Sequence, residues 1–133
     1  MVEDAIRTIL LDDGTISGLV DTRIRPHAAH RSDDYPYIIY FRISTRHIES
    51  FDGSAGLAGA RIQVQCWDET FSIVQTLSNA IRAKLQGYSG TVGGDVIQGI
   101  SILDELDDFE PPVKKTENGV HASAIDALVW FEE

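Results

Sequence analysis

The stretch 61-RIQVQCWDETFSIVQTLSNAIRAKLQG-87 decides the fold. Its first residues alternate. Ile62, Val64 and Cys66 fall on one side of an extended chain, and Arg61, Gln63, Gln65 and Trp67 on the other. From Asp68 the period changes. Phe71, Val74, Leu77, Ile81 and Leu85 recur at spacings of three and four, which is one stripe of a helix. Asp68 is placed to cap that helix, and Gly87 to stop it in a left-handed conformation. A strand that hands over to an amphipathic helix folds the helix back over its own sheet, so the chain reads as mixed α and β.

Cys66 is the only cysteine, so no internal disulfide is available. On the apolar face of a strand a thiol acts as a small hydrophobe, whereas a nucleophile needs an electropositive, partly open setting. Cys66 is therefore expected to be wall. The competing reading is a small cytosolic enzyme that pairs Cys66 with His27, His30, His47 or His121.

Outward from this stretch the elements follow in order. Val2, Ile6, Ile9 and Leu10 mark a helix over residues 2–12, ended by Gly14, and Thr15 is placed to cap a short second turn. The segment 36-PYIIYFRIS-44 predicts a strand with apolar residues on both faces. The glycine-rich 51-FDGSAGLAG-59 reads as a loop. A hairpin turned at Gly93-Gly94 leads to a strand over 96–103. The acidic, proline-bearing 104-DELDDFEPPVKKTENG-119 reads as a long loop, and 120-VHASAIDALVWF-131 as the closing strand. The expected fold is a single α+β domain over residues 1–133. It has a mostly antiparallel sheet of four to five strands and two main helices packed on one face.

Composition narrows the function. The 133 residues carry a net charge of −10, which repels phosphate backbones, although Arg23, Arg25, Arg31, Arg42 and Arg46 cluster early. No apolar run approaches the roughly 18 residues of a membrane span, and the acidic start lacks a signal peptide's basic residues. The chain is expected in a cytoplasm or in something assembled there, with no membrane partner. His27 and His30 lack the further ligands of a structural zinc site. The glycines of 90-GTVGG-94 fit neither phosphate-binding motif, and the acids after Asp104 lack the calcium-loop spacing. No cofactor and no metal are expected. Tyr35, Tyr37, Tyr40, Phe51, Trp67, Phe109 and Trp130 exceed what one buried sheet face needs, which points to surfaces covered by other subunits.

The order of these pieces resembles the tail completion, or tail terminator, proteins of long-tailed bacteriophages. The carriers are 35-YPYIIYFRIS-44, 60-ARIQVQCWDETFSIVQTLSNAIRAKL-85, 90-GTVGG-94, 97-IQGISILDELDDFEPP-112 and 119-GVHASAIDALVWFEE-133. Ala122 departs from the pattern, which often carries arginine after the histidine. The resemblance implies a ring, a hexamer, at the head-proximal end of a tail tube. Such a ring ends tube polymerisation and docks head-completion or connector proteins, and DNA passes through it without sequence-specific binding. A different neck or minor tail component is the neighbouring reading. A closed ring needs two different contact faces on each subunit. Loop position and apolar character single out Arg42, Phe51, Leu57, Trp67, Phe109, Pro111, Pro112, Val113 and Trp130 as contact residues. Asp104, Glu105, Asp107 and Asp108 are candidates for an acidic lumen.

Overall fold

The computed structural model describes residues 2–50, 53–111 and 119–132. In chain order the elements are α1 (Val2–Leu11), α2 (Gly14–Val20), β1 (Ile24–Pro26), β2 (Tyr37–Ser50), β3 (Gly53–Asp68), α3 (Phe71–Leu85), β4 (Gly90–Val92), β5 (Asp95–Glu110) and β6 (Val120–Glu132). The strands form one sheet in the order β1-β2-β3-β6-β5-β4. Every pairing is antiparallel except β1 with β2. The expected four to five strands become six because the short β1 and β4 are added at the two margins.

Two expected loops are strands. Residues 53–59 belong to β3, where Leu57 and Ala58 pair with Ile48 and His47. Gly59 lies within that strand because a Cβ there would stand 2.9 Å from the Trp130 ring on β6. Residues 104–110 complete β5, paired with 120–126 of β6. Aspartate and glutamate argue against a strand by propensity, but this strand is exposed on its outer side, so burial does not penalise its charges. Phe51, Pro112 and Val113 lie outside the described residues.

The core lies between the helices and one face of the sheet. Ile6, Leu10, Ile16, Leu77, Ile81 and Leu85 pack over Ile38, Tyr40, Ile62, Val64, Ile125, Ala127 and Val129. α2 is capped by Asp13, whose carboxylate accepts the Thr15 and Ile16 N–H groups at 3.0 Å. That replaces the cap expected from Thr15. Before α3, Asp68 accepts the Thr70 N–H at 2.7 Å, while Thr70 itself holds the cap position. Gly87 takes φ +75° after α3, and its N–H bonds to the Ile100 carbonyl. Gly93 and Gly94, both at positive φ, turn the β4–β5 hairpin as expected.

Candidate functional site: the uncovered sheet face and its edges

Cys66 resolves first. It is fully buried, and its thiol lies against the Val74 and Ser123 carbonyls at 3.8 and 3.7 Å. Burial pushes the thiol up to about 12. A nucleophilic cysteine needs the opposite shift and an open approach, so Cys66 is core, as its strand position indicates.

The other face of the sheet carries no helix among the described residues. Strand alternation puts Tyr37, Ile39 and Phe41 of β2, Arg61, Gln63, Gln65 and Trp67 of β3, and Ala122, Ala124, Asp126, Leu128 and Trp130 of β6 on this side. A continuous polar chain runs down its centre. The Trp67 Nε1–H donates to Gln65 Oε1 at 3.2 Å, and Gln65 Nε2 donates to Gln63 Oε1 at 2.6 Å. Gln63 Nε2 donates to Asp126 Oδ1 at 2.9 Å, and Arg61 Nη2 to Asp126 Oδ2 at 2.6 Å. Residues two apart on β3 point the same way, so each amide reaches the next, and the buried carboxylate of Asp126 ends the chain.

A groove lies at either end of this polar centre. One, about 350 Å³, is lined by Trp67, Gln63, Gln65, Leu106, Asp108 and Ala122. The other, about 550 Å³, is lined by Trp130, Leu57, Gly56, Gln98, Gly99 and Glu132. Beside the first, Tyr35 and Tyr37 stack at 5.2 Å. Desolvation holds the Tyr37 hydroxyl up at about 12. At the same end of the sheet, but towards the helices, His121 lies between the rings of Phe109 and Phe71 at 4.6 and 5.3 Å.

The expected contact residues therefore separate. Trp67, Leu57 and Trp130 share the uncovered face and are partly buried there. Arg42 is exposed on β2, Phe109 is exposed near the end of β5, and Pro111 is exposed just beyond it. The four acids do not face one way. Asp104 and Asp108 pair with Asp126 and Ala122 and share the uncovered face. Glu105 and Asp107 pair with Ile125 and Ser123 and lie towards the helices, where Glu105 meets Arg82 at 3.3 Å. An acidic surface on the uncovered side thus has two of the four. Sequence reasoning missed Gln63, Gln65 and Asp126. Gln63 and Gln65 were legible as the polar side of an alternating strand, but their partner Asp126 lies on a strand distant in sequence.

Among the described residues no three His, Cys, Asp or Glu side chains are grouped to hold a metal ion, and no helix is long and apolar enough to cross a membrane. Among the described residues the arrangement is a sheet wall with two margins that no further strand covers along most of their length.

The family model described as "Tail completion protein gp17" matches residues 4–124. A search of curated proteins gives no match. Among solved structures, a chain of "Virion of native gene transfer agent (GTA) particle" superposes with a TM-score of 0.76 at 13% identity. The superposition covers 99% of this chain and 95% of that one. At that identity the likeness shows a shared fold.

Proposed function

The chain belongs to the tail completion protein gp17 family, and from that premise we propose that it is a structural subunit of a ring at the head-proximal end of a phage tail tube. In that position the ring ends tube polymerisation and joins the tail to head-completion proteins. The observation that carries this reading is the sheet itself. One face is sealed by three helices, while among the described residues the other face carries no helix and most of both margins carry no further strand. A subunit with two different open margins associates head to tail, and a head-to-tail contact that closes makes a ring.

The ring is read as a hexamer in the virion, with the uncovered face towards the lumen. Its polar centre holds one arginine, Arg61, and that arginine is tied to Asp126. A centre of amides and a tied arginine holds phosphates weakly, so DNA slides past with little release of counterions. The two ends of the sheet then meet different partners, the tube protein at one and a connector at the other.

The mass of the purified protein in solution, by light scattering with negative-stain images of the same sample, tests this. Rings, or monomers that convert to rings when tail tubes are added, support it. A monomer that ignores tail tubes refutes it.

A further inference from the structure

We propose that copies of this chain join edge to edge, the free margin of β2 in one copy pairing antiparallel with the free margin of β5 in the next. This rests on the ring reading above and names the contact that closes it.

β1 covers only Ile38–Tyr40 of β2, and β4 covers only Asp95–Ile97 of β5. Beyond them, residues 41–50 and 98–110 have no strand on their outer side among the described residues. Folded proteins normally protect such margins against pairing. These margins instead keep apolar side chains in water. Among the described residues the exposed large hydrophobics are Tyr35, Ile43, Phe71, Leu103, Leu106 and Phe109, and four of these six lie on the two margins. The charges are opposite. Residues 41–50 carry Arg42 and Arg46 against one acid, Glu49, whereas residues 98–110 carry five acids and no lysine or arginine.

Direction fits as well. β2 and β5 run oppositely within one copy, so like-oriented copies around an axis bring these margins together antiparallel. One register satisfies both faces at once. With Arg46 opposite Asp104, both on the uncovered side, Thr45 meets Glu105 and Ser44 meets Leu106. Ile43 is skipped in the β2–β3 pairing, and passing over it sets Arg42 opposite Asp107, both towards the helices. The Thr45 hydroxyl, buried with no hydrogen-bond partner among the described residues, faces a carboxylate in this register. Pairing then stops at Tyr40, where β1 begins.

The register also closes a barrel. Asp107 pairs with Ser123, Ser123 with Cys66 and Cys66 with Ile38, so crossing one copy leads from Arg42 to Ile38, four residues along β2. Four long strands per copy give one residue of stagger per strand. At about 3.3 Å per residue and about 4.8 Å between strands this tilts the strands by about 35°, which lies in the range of closed barrels.

The test uses paired charge reversal in the full chain. One variant carries Arg42→Glu and Arg46→Glu; the other carries Asp104→Lys and Asp107→Lys. Each alone opposes like charges and is expected to weaken assembly at least about 100-fold. Mixed in equal amounts, the two variants are complementary at both contacts and regain rings, which also shows that each is folded. Amide hydrogen exchange of the wild type supplies a second readout, with residues 41–48 and 101–108 gaining protection on assembly. Rings that persist in both single variants, with no gain of protection, overturn the edge contact and leave the ring reading intact. A wild-type chain that stays monomeric with tail tubes present overturns both.

Discussion

At the scale of single residues, Cys66 and Asp126 show how burial assigns roles. Cys66 keeps its proton in the fold far above the ordinary thiol value of 9.0, up to about 12. The unfolded chain loses that proton first, so above pH 9 the unfolded state binds fewer protons and stability falls as pH rises. Between about pH 9 and 12 the loss from this group reaches about 1.4 kcal/mol per pH unit, and Cys66→Ala removes that part of the slope in urea melts at graded pH. The same burial makes Cys66 inert to thiol reagents until the protein unfolds. Asp126 differs in being a buried carboxylate whose two oxygens accept from Arg61 and Gln63. Asp126→Ala leaves the Gln63 amide without its acceptor and is expected to destabilise by about 1–3 kcal/mol, read as a lower urea midpoint at unchanged m-value. The Arg61 guanidinium is half-exposed and recovers water, so the cost stays below that of a fully buried pair broken on one side.

At the scale of elements, the strand–helix handover at 61–87 was legible because two periods meet there and each has a burial to match. The hairpin at Gly93-Gly94 was legible for the same kind of reason, since two adjacent positive φ angles demand glycine or asparagine. Gly94→Ala, at φ +90°, is expected to cost about 1–2 kcal/mol, while Gly93→Asn, at φ +56°, stays near wild type in thermal melts. The margins were not legible. In 51–59, glycines signalled a loop, yet Gly59 is there to seat Trp130 from another strand, a contact invisible without the sheet order. Gly59→Ala pushes on that ring and is expected to cost about 1–3 kcal/mol, with a shift in tryptophan emission if Trp130 is displaced. In 104–110 the acids hid a strand, because a margin needs no buried side chains to alternate. The candidate site lies largely on these misread segments and on the pairing of β3 with β6, so sequence pattern reached Trp67, Trp130 and the two acids Asp104 and Asp108 but not the polar chain that joins them.

At the scale of the whole molecule, the helices seal one side of the sheet, and the proposed ring turns the other side inward. The wall then presents Gln63, Gln65, Trp67 and Trp130, with Arg61 neutralised by Asp126. Six copies would make 24 long strands, and at a tilt of about 35° these enclose a backbone barrel of about 45 Å diameter, which admits duplex DNA once side chains are subtracted. In the proposed ring this wall is passive towards DNA because Arg61 is tied to Asp126 and Arg46 faces Asp104 of the next copy, so adding cations should change its behaviour in a defined way. Gln65 stands at the middle of the face, and Gln65→Lys places one ammonium per subunit on the inner wall. If the face lines the lumen, rings of this variant hold linear duplex DNA in a gel-shift assay at low salt. Binding then falls with salt at a slope of about 0.9 per phosphate neutralised, whereas wild-type rings leave the DNA free. The matching control is Gln75→Lys, on the exposed side of α3 and outside the barrel. Retention by the Gln65 variant and not by the Gln75 variant places the uncovered face inside the ring. Equal behaviour of the two would turn the sheet outward and assign the passage of DNA to some other surface.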